Sequence, residues 1–521
     1  MIEPLTFNII YPEQLPHFMD DSDAQYPTNR WVILGVMSLS LVIVMLNNVT
    51  LNVALPDLST DLSADNSELQ WIMDAYMLVF GGTLLVMGAL GDRFGRKGAL
   101  QIGLIIVGAA SAWTAFYADS STDVILARAT MGLGAALVMP STLSVVLVVF
   151  PPEERGKAIG IWAAMAGVGA PIGLLVGGWA VETYDWEMVF LINVPIILLA
   201  LIAGAVIVPR SKDNEERPLD VVGALLSVII LGSLLYGIIE GPSLGWTNTE
   251  VIAAFAISAI SCLLFISWQK RTEFPLLPLE FFKNHRFSIG LIAIAMAFFV
   301  MFSFMFMQML HFQLVRGHSP FSAAIRFFPL PIGLMPAAAN SDRLVAKFGR
   351  PNVISTGLCL VATGLFLFTQ VNIDTSYPQI AATFFLLGIG MGLTMAPSTT
   401  AVMDAIPHSK AGVGSATNDA SREVGGALGI AIGGSVLNEI YQSTITIPAS
   451  ASGQSGVIQE SFPAAITIGQ RMLELGNPEG AELIASARES FIEGMIAACI
   501  VAGVVALLAA IIVKWKLPHD D

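Results

Sequence analysis

Apolar stretches long enough to cross a bilayer recur along the whole 521-residue chain, and that recurrence constrains the fold more than any other feature. Inside a bilayer, backbone N–H and C=O groups find no water, so a run of about 20 apolar residues must satisfy them internally as a helix. The expected fold is an all-α polytopic membrane protein. Composition agrees: 55% of residues are hydrophobic and only 12% are charged, which excludes a soluble multidomain protein. Charges and Pro/Gly turns delimit spans at 31–55, 67–91, 98–117, 122–149, 157–181, 187–209 and 220–239. Seven more follow at 249–268, 287–313, 322–341, 352–371, 378–403, 413–437 and 490–513.

The basic residues orient this array. With the N-terminus inside, cytoplasmic segments collect 19 of the 25 Lys and Arg residues, among them Arg30, Arg93, Arg155, Lys212, Arg217, Lys270, Arg343, Lys410 and Lys514. Outer loops keep Arg316, Arg471 and Arg488, while Arg128, Arg326 and Arg422 fall within spans or at their edges. Shifting the count by one helix would scramble that asymmetry, so both termini are expected in the cytoplasm. The net charge of −15 is concentrated partly in the first 30 residues, where Glu3, Glu13, Asp20, Asp21 and Asp23 meet one cation, Arg30. That segment lacks the cationic start and apolar core of a signal peptide and reads as a retained, mobile cytoplasmic tail. Cys262, Cys359 and Cys499 lie in apolar runs without metal-like spacing and read as packing residues. The long outer segment 438–489 is rich in Gly, Ser and acidic residues and is expected to be partly helical and partly disordered.

The turn after the second span reads GALGDRFGRKGAL, Gly88 to Leu100. Gly88 permits close approach of a neighbouring helix, Asp92 can pair with an Arg or a helix N-terminus, and Gly95 permits a tight turn. Arg93, Arg96 and Lys97 complete a spacing that resembles the cytoplasmic signature of the major facilitator superfamily. ARATMGLGAA in the fourth span is similar to a second motif of that superfamily, with Met131 where Gln is frequent. The fifth span reads GVGAPIGLLVGG and resembles the antiporter motif of its exporters, through Gly167, Gly169, Pro171, Gly173, Gly177 and Gly178. These small residues would let the helix pack closely and rock against a partner, with Pro171 bending it. With WEMVFLINVP, IIEGPSLGW, PLLPLEFF, FQLVRGHSP and AGVGSATNDASREVGGALG, the chain resembles the fourteen-helix drug:proton antiporter group from about Trp31 to Lys516. NSDRLVAKFGRP, Asn340 to Pro351, repeats the cytoplasmic turn weakly, as a pseudosymmetric transporter would.

The resemblance implies a major facilitator fold: two six-helix halves, residues 31–209 and 287–513, with an extra helix pair in the linker 210–286. Tails of 1–30 and 514–521 would flank them, and the second half would include the outer loop 438–489. It also implies an acid in the first helix, within a pattern similar to L-D-x-T-x-V-N-V-A-L-P. Here LNNVTLNVALP puts Asn47 at the acid's place, beside Asn48. An amide cannot carry a proton at neutral pH.

Depth suggests another carrier. Asn47, Asp74 and Arg128 fall roughly 12, 10 and 9 Å from the outer ends of their spans at helical rise. Asp74 is therefore a candidate for the titrating carboxylate, modulated by Arg128 and hydrogen-bonded by Asn47 or Asn48. The alternative leaves Asp74 at the outer water interface, or makes it only a structural partner of Arg128. Asp419, Arg422 and Glu423 in the thirteenth span could line a cavity or form a cytoplasmic-edge latch, and the edge is slightly favoured. Met305, Gln308 and His311 belong to a Met- and Phe-rich ninth span suited either to varied ligands or to ordinary packing.

The favoured function is a secondary active exporter, a proton-coupled antiporter of amphiphilic or lipophilic compounds working by alternating access in the cell membrane. Export of an endogenous metabolite or lipid with weak or no proton coupling is the alternative, and a non-transporting receptor or scaffold is a third. No Walker-type loop is present, so the drive would be an ion gradient, with no cofactor or metal. No metal-ligand spacing or nucleophile–base set suggests an enzyme. The expected partners are a small-molecule substrate and the lipid bilayer, without nucleic acid, and the chain is expected to act as a monomer.

Overall fold

The computed structural model describes residues 26–54, 57–58, 61–62, 64, 66–211, 219–373 and 375–518, and all regular elements among them are helical. The acidic tail, Lys212 and Arg217 lie outside these residues, as do Leu55 and Pro56. Among the described residues, fourteen helices are long and apolar enough to cross a membrane. We number them α1 (Arg30–Val49), α2 (Asn66–Phe94), α3 (Arg96–Tyr117), α4 (Ser121–Val149), α5 (Pro152–Thr183), α6 (Met188–Ile207) and α7 (Val221–Leu244). They continue as α8 (Thr249–Gln269), α9 (His285–Leu310), α10 (Pro329–Phe348), α11 (Arg350–Phe368), α12 (Tyr377–Asp404), α13 (Ala411–Thr444) and α14 (Glu479–Lys516).

Local chemistry sets many of the boundaries. The side chains of Ser120, Asp220, Asn248 and Asn284 each accept a backbone N–H of the first turn they precede, satisfying a donor that the helix cannot. The α2–α3 and α10–α11 turns each hinge on a glycine at positive φ, Gly95 at 111° and Gly349 at 81°. Both lie in a Phe-Gly-Arg tripeptide, a repeat that an L side chain would strain.

Helices α1–α6 form one bundle and α9–α14 another, while α7 and α8 pair with each other and lean on α2 and α13. The pair presents most of its surface outward, as lipid-facing helices do. It is pinned by Asp220, whose carboxylate also accepts from Trp268 Nε1 at 2.7 Å, Gln269 Nε2 at 2.6 Å and Leu276 N at 3.2 Å. The halves meet along two seams, α2 against α13 and α5 against α10, with α4–α13 and α5–α12 contacts between them.

Three expectations need correction. Helix α10 continues to Phe348, so Asp342, Arg343 and Lys347 are helical and not part of the turn. Helix α14 begins at Glu479, eleven residues earlier than its apolar stretch suggests. Residues 438–489 contain no disordered half: α13 runs to Thr444, and helices Ser455–Glu460 and Phe462–Glu474 fold back on the start of α14. Phe462 stacks on Phe491 and meets Tyr441 edge-to-face there, and the Tyr441 hydroxyl donates to Ile458 O at 3.0 Å. The polar composition that reads as disorder belongs to the outward face of this small cap.

Candidate functional site

At the end of the bundle that carries the basic turns, Asp92 reaches across the first seam. Its Oδ2 accepts from Gly412 N at 2.7 Å and Val413 N at 3.1 Å, at the start of α13. Its Oδ1 accepts from Arg96 Nε at 3.0 Å and Nη2 at 2.8 Å, and Arg96 Nη2 also donates to His408 O at 2.7 Å. A carboxylate on a helix N-terminus, shared with an arginine, is a charge-assisted clamp. The helices approach closely because Gly88 lies there: a Cβ on it would come within 2.5 Å of Gly412 O and 2.6 Å of Ala416 Cβ. Arg93 is exposed, and Lys97 donates to Ala205 O at 2.6 Å, so neither shares the clamp.

The second seam is asymmetric. Arg350, the counterpart of Arg96, pairs with Asp404 at 3.1 Å, with Asp342 also within its electrostatic reach. Asp342 sits a full turn too early, against Gly156 of α5. The glycine motif of α5 divides its work. Gly169 meets Met45 of α1 and Gly177 meets Thr50, whereas Gly167 meets Leu334 of α10 and Gly178 the backbone of Phe321, across the seam. Gly173 and Pro171 are buried, and the helix runs unbroken through Pro171.

Among the proposed carriers, Asn47 and Arg128 come together, though through the backbone. Arg128 is fully buried, donating from Nη1 to Asn47 O at 2.7 Å and from Nε to Ile72 O at 3.1 Å, with Nη2 left without a partner. Its guanidinium lies 4.4 Å from the Tyr76 ring centroid, and the Tyr76 hydroxyl donates to Val44 O at 3.0 Å. The Asn47 side chain turns elsewhere, donating to Ile43 O and accepting from Asn193 Nδ2 at 3.1 Å. Asn48 is buried. Asp74 is half-buried and within electrostatic range of Arg128.

The second polar cluster lies inside, not at the edge. Asp419 and Arg422 sit eight and eleven residues past Ala411, roughly 12 and 16 Å along α13, and both are fully buried. Arg422 projects between the halves. Its guanidinium carbon is 4.6 Å from the Trp162 ring centroid on α5 and 5.2 Å from that of Phe298 on α9. Its Nη2 donates to Thr399 Oγ1 on α12 at 3.2 Å, and its Nη1 is 3.7 Å from Asp419 Oδ1. Asn418 Nδ2 donates to the same carboxylate at 3.2 Å, and Ser415 Oγ lies 3.5 Å from its other oxygen. Trp162 is held by its own Nε1–H to Thr142 Oγ1 on α4, at 3.0 Å. Glu423, one residue on, is half-buried beside Gly81 of α2.

Gln308 and His311 do not join either cluster. They lie within the second half, where Gln308 Nε2 donates to Met495 Sδ at 3.4 Å and His311 Nδ1 is 3.2 Å from Gln308 Oε1. Arg316 Nε donates to His311 Nε2 at 3.3 Å, closing a π-helical turn at His311–Val315. Met305 is half-buried against the surrounding core. Trp162, Phe298, Thr399 and Tyr76 carry no motif of their own and are recognisable only by where the fold brings them. Among the described residues, no cluster of His, Cys, Asp and Glu could hold a metal ion.

Two helical halves joined by small-residue seams, with buried charges between them, are the architecture of a membrane transporter. The family profile of the major facilitator superfamily matches residues 37–430, and the chain belongs to that superfamily. The multidrug efflux pump LfrA of Mycolicibacterium smegmatis is 31% identical over 494 residues, covering 94% of this chain and 97% of that one. The methyl viologen resistance protein SmvA of Salmonella typhimurium is 31% identical over 488 residues, covering 92% and 97%. The tetracenomycin C resistance and export protein of Streptomyces glaucescens is 29% identical over 493 residues, covering 92% and 90%. In fold, the chain is similar to the proton:xylose symporter XylE (TM-score 0.59, 14% identity, covering 94% and 96%). It is similar to the human organic anion transporter MFSD10 to the same degree (TM-score 0.59, 13% identity, covering 94% and 100%).

Proposed function

We propose that this protein is a proton-coupled exporter of lipophilic or amphiphilic compounds, acting as a monomer in the cell membrane with both termini in the cytoplasm. The carrying observation is the buried Asp419–Arg422 cluster on a seam between the halves, where any rocking motion must change its surroundings. The drug-resistance names of relatives matched over nearly their whole length support export as the direction. Asp92 then clamps the cytoplasmic ends of the two halves together through Gly412 and Val413.

Proton coupling needs a carboxylate whose solvation differs between states. Asp419 and Glu423 meet that need at the moving seam. Asp74 is a second station, beside Arg128 within the first half, and Asn47 serves as a structural amide. The test is efflux from inverted vesicles or proteoliposomes under an imposed pH gradient. Asp419→Asn or Glu423→Gln is expected to abolish the gradient dependence, and Asp74→Asn to reduce it. Full gradient-driven efflux in the Asp419→Asn, Glu423→Gln double variant would remove the seam carboxylates from the mechanism.

A further inference from the structure

The extra helix pair straddles the α2–α13 seam along its length. At the end away from the clamp, the Tyr236 ring of α7 lies 6.5 Å from that of Trp71 on α2, and Trp246 Nε1 in the α7–α8 loop donates to Ser435 Oγ of α13 at 3.3 Å. Midway, Leu235 of α7 fills the space that a Cβ on Gly81 of α2 would need, and shares an apolar cluster with Ala427 and Ala431 of α13. At the clamp itself the contact is made by PLLPLEFF, the chain that leaves α8. Leu276 and Leu277 are each 5% exposed and form one cluster with Phe265 of α8, Ala89 of α2 and Val413 of α13. Ala89 lies three residues before Asp92, on the same helix face, and the Val413 N–H is one of the amides that Asp92 binds.

Backbone bonds place these two leucines. Leu276 N donates to Asp220 Oδ2 at 3.2 Å and Leu277 N to Gln269 Oε1 at 3.3 Å, while Gln269 Nε2 donates back to Asp220 Oδ2 at 2.6 Å. Pro275 and Pro278 fix φ on either side. Capping α7 through Gly223 N uses Asp220 Oδ1, so Oδ2 serves the two leucines, one directly and one through Gln269. The result is a dry cover over the clamp. Asp92 is 4% exposed, although Arg93 and Phe94, next in the chain, are open to the surroundings. The Gly412 and Val413 N–H groups belong to the first turn of α13 and have no acceptor within their own helix. Where water reaches such groups it competes with the carboxylate, and where water is excluded the low dielectric strengthens the bonds.

We infer that Leu276 and Leu277, placed by Asp220 and Gln269, are positioning residues for the clamp: by keeping water from the bonds between Asp92 and α13, they set how readily the halves part at this end. The two leucines act only through Asp92, so this role stands on the clamp reading. The extra helix pair thereby takes part in the transport cycle instead of merely lengthening the linker.

The test compares variants of the full chain in lipid nanodiscs by two readouts. One is hydrogen–deuterium exchange of the peptide containing Gly412 and Val413. The other is the distance between spin labels at Gly98→Cys and Ala346→Cys, in a background without native cysteines. Leu276→Ala with Leu277→Ala is expected to raise both the exchange rate of those amides and the open-to-closed ratio by roughly tenfold, as two charge-assisted bonds lose part of their strength to water. Leu276→Met with Leu277→Met keeps the apolar cover and is expected to restore both. Trp246→Phe loosens the pair at its other end and is expected to leave both unchanged. Added to Asp92→Asn, the alanine pair is expected to do much less than it does alone, because the bonds it shields are already weakened. Should the alanine pair not fold, Leu277→Ala alone carries the comparison. A lowered melting temperature with both readouts unchanged, an equal response to Trp246→Phe, or full additivity with Asp92→Asn would each overturn the proposal and leave the clamp standing. Unchanged readouts in Asp92→Asn itself would overturn the clamp and this role with it.

Discussion

Replacing Asp92 with Asn should unlock the end of the bundle at which the two halves are clamped. The carboxylate accepts four hydrogen bonds, two from the Arg96 guanidinium and two from the first N–H groups of α13. An asparagine has one oxygen, so it can serve Arg96 or α13 but not both, and its NH2 then faces donors. Of these four, only the bonds to Gly412 and Val413 cross the seam; the Arg96 bond to His408 O also crosses it but does not involve the carboxylate. Charge-assisted hydrogen bonds contribute about 1.5–3 kcal/mol each, and water partly replaces them on opening, so the closed state loses about 2–4 kcal/mol. That changes the closed-to-open ratio by roughly 30- to 1,000-fold. Spin labels at Gly98→Cys and Ala346→Cys, both exposed on opposite halves at the end of the bundle where the clamp lies, would read it by electron–electron double resonance. The background would replace Cys262, Cys359 and Cys499. In the Asp92→Asn variant the longer-distance population should become dominant or comparable. An unchanged distance distribution would refute the clamp and the reasoning from the cross-seam bonds.

Gly160→Val would place a Cβ within 2.6 Å of Ala338 O and should hold α5 off α10, abolishing efflux while expression and melting temperature stay near wild type. Asp220→Ala removes the α7 cap and leaves two buried donors, Gln269 Nε2 and Leu276 N, unmet, which should cost about 2 kcal/mol or more and lower the melting temperature by fluorimetry. His318, in the loop between α9 and α10, is held below the ordinary imidazole range by desolvation, and further by Arg326 and Arg316. The folded loop therefore binds a proton less readily than the unfolded chain, so its stability falls as pH drops below about 6.5 and is unaffected above it. His318→Gln should flatten that acid-side decline, measurable by proteolysis of the loop between pH 5 and 7.

The clamp was largely legible in the chain, because its parts are local. Gly88, Asp92, Gly95 and Arg96 fall within nine residues, and the only unknown was which helix start the carboxylate would meet. The second-half repeat misled in one respect. NSDRLVAKFGRP keeps the turn glycine at Gly349, but four added residues move Asp342 a full turn up α10, so Arg350 takes Asp404. Depth counting placed Asn47 and Arg128 at one level, yet could not show that Arg128 would choose the Asn47 carbonyl over its amide.

The spans and their alternating topology follow from the sequence alone, because insertion into a bilayer depends on the length and hydrophobicity of each segment taken in turn. Which face of a span meets which partner is a property of the packed bundle. Nothing within reach of Arg422 in the chain announces Trp162, 260 residues earlier, or Phe298 and Thr399 on two other helices. Only the close approach of the two halves gathers those side chains around one guanidinium and leaves two of its nitrogens without a partner.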